Sequence, residues 1–89
     1  MKTGTVVVSE AGHDKGMLYV VVGRERDFLL LCDGKRKLLS NPKRKNVRHL
    51  TDTGERAELS IYNPLYDAHI RKELKRLSKC VNTNGLPIK

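Results

Sequence analysis

Gly4-Thr5-Val6-Val7-Val8-Ser9-Glu10-Ala11-Gly12-His13-Asp14-Lys15-Gly16 is the stretch on which the fold turns. A glycine opens three consecutive β-branched residues, and a polar run holding two more glycines follows, which reads as strand and then turn. Residues 17–22 resume an apolar run with three further valines, and Gly23-Arg24-Glu25-Arg26-Asp27 separates them from Phe28-Leu29-Leu30-Leu31-Cys32. Both runs have the length of strands rather than helices. Asp33-Gly34 suits a two-residue type I′ turn, whose central positions both need φ > 0, so a hairpin is expected whose second arm starts at Lys35-Arg36-Lys37-Leu38-Leu39. Asn41-Pro42 interrupts the chain, and residues 47–50 offer a last short strand. Four or five short strands cannot leave two bare edges and still bury a core. Closure into a small barrel is therefore expected, with an open meander as the alternative.

The character changes after Leu50. Residues 51–63 are polar and read as a linker, and Asn63-Pro64 supplies a capping residue followed by proline at a first helical position. Tyr66, Ile70, Leu74 and Leu77 then recur on one helical stripe, so a helix is expected over residues 64–81 with a loose tail at 82–89. Asp67 near its start and Lys79 near its end both suit the helix dipole. The expected fold is mainly β, a small barrel over residues 1–50 with a C-terminal α-helix. At 89 residues, one thin-cored domain plus an appendage is the ceiling.

Lys and Arg total 18 against 10 Asp and Glu, a formal net charge of +8 that points to polyanionic partners. The excess is concentrated. Residues 1–34 hold four basic and five acidic side chains and residues 51–89 hold seven and five, while residues 35–50 hold seven cations and no acid. Neutralising phosphates releases counterions, so this segment is the natural candidate for gripping a nucleic-acid backbone. Its cations are Lys35, Arg36, Lys37, Lys43, Arg44, Lys45 and Arg48. Arginine adds forked phosphate contacts that lysine cannot make.

Other chemistries find little support. Cys32 and Cys80 lie far apart with no CxxC spacing, which suggests a reduced pair and no zinc site. His13, His49 and His69 are scattered, Ser9 lacks a nucleophile context, and no phosphate-binding glycine loop of the nucleotide-binding kind is present, so no enzyme activity and no cofactor are expected. The longest apolar run is too short to span a bilayer, and a soluble cytoplasmic chain with no membrane or small-molecule partner is the expectation. Only Tyr19, Phe28, Tyr62 and Tyr66 are aromatic, so recognition of RNA shape is favoured over stacking on unpaired bases.

The stretch quoted at the outset, continued to Val22, resembles the KOW motif. Continued to Leu50, with Asp33-Gly34 and Asn41-Pro42-Lys43-Arg44-Lys45, it is similar to small bacterial KOW-domain proteins related to a large-subunit ribosomal protein of archaea and eukaryotes. The resemblance covers roughly the first 50 residues. It implies an SH3-like β-barrel that binds structured RNA, ribosomal RNA in the first place, and identifies Gly12 as the motif's central glycine and Lys15-Gly16 as its Lys-Gly pair. The loop between them, His13 included, becomes the RNA-facing element. Tyr19 stands where many KOW motifs carry a further glycine, a departure that favours the ribosomal branch over the elongation-factor branch. The competing reading is an SH3-like interaction module whose basic strip docks on an acidic translation or transcription partner. Non-specific DNA binding is a third.

Overall fold

The computed structural model describes residues 1–78. Five antiparallel strands form one sheet, β1 (Thr5–Ser9), β2 (Leu18–Glu25), β3 (Phe28–Cys32), β4 (Lys43–Asn46) and β5 (Leu50–Arg56), in the spatial order β4-β3-β2-β1-β5. One helix, α1 (Asp67–Leu77), follows.

The valine run of β1 is buried at every position because both faces of the sheet are covered there. Val6, Val20 and Cys32 face α1 and pack with Ala57, Ile70 and Leu77. Val7, Tyr19, Val21, Leu29, Leu31 and Leu50 form a second cluster on the other face, with Val47 against it. Connectivity requires the sheet to curl around this cluster. Its two edge strands, about 19 Å apart in a flat sheet of five, are joined by the three-residue 3-10 helix Val47–His49, and the chain from Asn46 to Leu50 reaches at most about 14 Å. Among the described residues no ladder joins β4 to β5, so the expected closure into a barrel is not completed by hydrogen bonds.

Several expected boundaries are corrected. The two-residue hairpin turn falls at Arg26-Asp27, between paired Glu25 and Phe28, where Arg26 adopts φ +55°. Asp33-Gly34 instead opens a wider turn in which the Asp33 carboxylate accepts the backbone N–H groups of Lys35, Arg36 and Lys37, each at 2.9 Å. This local carboxylate competes with strand pairing for those donors, so residues 35–39 form no strand and β4 begins only at Lys43. The expected strand at 47–50 is mostly the 3-10 helix, and the first six residues of the expected linker belong to β5. That strand looks polar because it lies at the sheet edge, and only Leu50 and Thr53 in it are buried. Thr53 Oγ1 donates to Val6 O at 2.7 Å.

The helix starts at Asp67 rather than Pro64, with Tyr66 as the extended residue before it. His69 Nδ1 accepts the Tyr66 N–H at 3.0 Å, while the His69 N–H donates to Tyr66 O at 2.9 Å. Ile70 and Leu77 are buried and Leu74 half-buried, as the stripe requires, but Tyr66 is 60% exposed because it precedes the first turn and escapes the helical phase. Residues 79–81 of the expected helix, Cys80 and the expected tail lie outside the described residues.

Candidate nucleic-acid interface

Two chain segments far apart in sequence meet on one surface, and Asp14 joins them. This carboxylate sits in the loop between β1 and β2, where Ser9 Oγ donates to its Oδ1 at 2.9 Å and Tyr19 OH to its Oδ2 at 3.0 Å. From β4, Lys45 Nζ reaches Oδ1 at 2.8 Å and Lys43 Nζ reaches Oδ2 at 3.3 Å. Lys45 also donates to Ala11 O at 2.7 Å. Burial alone would raise the Asp14 pKa. The hydrogen bonds from Lys45, Ser9, Tyr19 and Lys43 outweigh it and hold the carboxyl well below its ordinary range. The Tyr19 phenol is pushed up by burial, by its bond to Asp14 and by the negative charge of Asp14 and Asp33, with Arg36 opposing. Lys35 and Asp33 of the 33–37 turn line a groove with Met17 and Leu18, so that turn adjoins the end of the same loop.

Strand geometry sorts the basic segment further. Lys43 and Lys45 lie opposite Leu31 and Leu29, so they share the face of the second core cluster and reach the Asp14 loop. Arg44, opposite Leu30, points the other way and covers the Phe28 ring, its guanidinium carbon 4.4 Å from the ring centroid. A cation–π contact of this exposed kind contributes about 0.5–1 kcal/mol. Arg44 is thus separated from the surface its two neighbours occupy. Lys45, with a side chain only 11% exposed, is an internal strut rather than a free phosphate contact.

Among the described residues, the cationic candidates with neither an ion pair nor a ring contact are Lys15, Lys35, Arg36, Lys37 and Arg48. His13 and Lys15 are exposed in the glycine-bounded loop, where Gly12 and Gly16 take φ of +82° and +89°. Arg48 belongs to the 3-10 helix, whose His49 O accepts the Glu10 N–H at 2.8 Å, and this places it beside the base of the same loop. Lys35 and Arg36 are exposed at the tip of the 33–37 turn and Lys37 is half-buried.

That turn is fastened to α1. Gly34 O accepts a hydrogen bond from Arg71 Nη1, and Leu39 N–H donates to Asp67 Oδ1 at 2.8 Å. A groove between them is lined by Met17, Leu18, Lys35, Arg71, Leu74 and Lys75, so helix cations continue the basic surface. The sequence carries no signal for Asp14 as a hub, since its lysine partners lie about thirty positions away and only curling of the sheet delivers them. It also conceals an aromatic group at the start of α1, where the Tyr62 and His69 rings stack at 4.2 Å and Tyr66 tilts against His69 at 5.7 Å.

Among the described residues no helix is long and apolar enough to cross a membrane, and no three side chains of the metal-ligating kind come together. No protein-family model matches the chain, and comparison with curated proteins finds no match.

Proposed function

We propose that this chain is a non-catalytic RNA-binding protein that grips the phosphate backbone of structured RNA, in the setting of the ribosome and in the cytoplasm, and that its curled sheet is an SH3-like barrel of the KOW kind. The observation that carries the reading is that the 12–16 loop is flanked by the 3-10 helix on one side and, at Met17, by the 33–37 turn on the other, which sets Lys15, Lys35, Arg36, Lys37 and Arg48, none of them in an ion pair, along one connected surface. Cations held on short, internally bonded turns lose little freedom on meeting phosphates, and A-form RNA is read by backbone shape. Asp14 supports the same function indirectly by fixing the loop against β4.

The test is the affinity of the full chain for a structured RNA hairpin, the matching duplex DNA and an acidic peptide across a salt series. Tightest binding to the RNA, with a log–log salt slope of roughly −3 to −4 for four or five phosphate contacts, supports the reading. Equal, weak binding to all three overturns it, and preference for the peptide replaces it with a protein-docking module. Cosedimentation with ribosomal particles tests the setting separately.

A further inference from the structure

We propose that the Tyr66 ring, backed by His69 and Tyr62, is a stacking subsite for one unpaired RNA base beside the basic turn. The proposal rests on the RNA-binding reading and specifies which RNA is preferred. Of the four aromatic residues, Tyr19 is buried and hydrogen-bonded to Asp14, and the Phe28 ring is covered by Arg44. Tyr62 and Tyr66 remain, and the fold brings both onto one imidazole.

The group is pre-organised. His69 is fixed from two directions, since Nδ1 accepts the Tyr66 N–H and the ring lies 14° from parallel with Tyr62. Tyr62 is in turn tied by its hydroxyl to Glu73 Oε2 at 3.0 Å, and Glu73, 3% exposed, also accepts the Glu58 N–H at 2.8 Å and pairs with Arg76. A rigid scaffold thus ends in the exposed ring of Tyr66.

The charge around it selects the occupant. Asp67, the next residue, holds Leu39, and its carbonyl lies against Gly34, so the platform adjoins the turn carrying Lys35, Arg36 and Lys37. Lys72 stands one helical turn beyond His69 on the same side. An exposed aromatic face near cations matches a base splayed from a phosphate backbone, and stacking of this kind tolerates any base identity.

The experiment uses the full chain and two blunt-ended RNA duplexes of the same sequence, one fully paired and one with a single bulged 2-aminopurine. The expected result is binding of both, on the order of tenfold tighter for the bulged RNA, with quenching of the 2-aminopurine fluorescence. Tyr66→Ala removes the preference and the quenching but leaves affinity for the fully paired duplex unchanged, and Tyr66→Phe keeps both. The Tyr66 hydrogen bonds that begin α1 come from its backbone, so the alanine variant retains the fold; its thermal melt checks this. Binding of both RNAs without preference, or a preference that survives Tyr66→Ala, overturns the subsite and leaves the RNA reading standing. A protein occupant of the platform gives that same insensitivity to Tyr66→Ala. Failure to bind either RNA overturns both.

Discussion

Gly34 and Gly16 both take positive φ, at +77° and +89°, yet a methyl group at each meets different surroundings. A Cβ on Gly34 would fall 2.5 Å from the Asp67 carbonyl oxygen and 2.7 Å from Arg71 Cγ, whereas one on Gly16 meets nothing within 4 Å. Gly16→Ala should therefore cost only backbone strain, about 1 kcal/mol. Gly34→Ala adds a clash with the helix and should cost at least about 2 kcal/mol more; midpoints of denaturant unfolding compare the two. Asp14 allows a second prediction. Its carboxyl pKa is depressed in the folded chain below the ordinary 3.8, so its stabilisation is complete above about pH 4 and declines as pH falls through the folded value. Asp14→Asn should lower stability at pH 7 by about 2 kcal/mol, the scale of hydrogen bonds to a charged group. The deficit relative to the parent should narrow progressively below pH 4 in thermal melts. A deficit independent of pH would mean that charge pairing contributes nothing. Cys32 illustrates the opposite case, since burial first and the charges of Asp67 and Asp33 next push its thiol up to about 11, leaving it a small apolar packing group.

At the scale of elements, legibility followed burial. The central strands β1 to β3 are apolar along their length, so Val6-Val7-Val8, residues 17–22 and Phe28-Leu29-Leu30-Leu31-Cys32 announce themselves, though β2 runs on to Glu25 through a bulge at Val22. The edge strands do not. Lys43-Arg44-Lys45-Asn46 carries no apolar residue and becomes a strand because its backbone pairs with β3, while its lysines answer an aspartate from a distant loop. Asp33-Gly34 misleads for a related reason, as the aspartate caps its own turn and the turn binds α1, neither of which a hairpin rule contains. Half of the site was similarly hidden. The cations were visible as an acid-free run, but which of them are free depends on Asp14 and on strand alternation, and the Tyr62–His69–Tyr66 group depends on where α1 begins. The helix itself does more than cover the sheet. Asp67→Ala removes the acceptor of Leu39 N–H and should leave the core intact while speeding hydrogen exchange in residues 33–39. Ile70→Ala, which empties a fully buried position between α1 and the sheet, should cost about 2–5 kcal/mol and destabilise every element together. If the two variants gave the same exchange pattern, the turn and the core would be a single cooperative unit.

Over the whole molecule the net charge of +8 overstates what an RNA can use. Lys43, Lys45, Arg56 and Arg76 are matched by internal carboxylates, Arg71 is committed to Gly34 O, and Arg44 lies over Phe28 away from the hub. The salt dependence of binding is the quantity that separates free from committed cations, because each phosphate contact adds about 0.7–0.9 to the slope while an internal pair adds nothing on its own. Replacing Lys35, Arg36 and Lys37 together by Ala should flatten the slope by roughly two to three units. The equivalent change at Lys43, Arg44 and Lys45 should instead lower stability through the lost Asp14 pairs and move the slope by less than about one unit. Asp14→Asn reverses the logic, since it releases Lys43 and Lys45 without removing any cation. Binding by that variant should become steeper in salt than binding by the parent, even though the fold is less stable. A uniform loss of slope across both triple variants would place the RNA along all six of those cations, and the sheet alternation that sets Arg44 apart would then have no bearing on recognition.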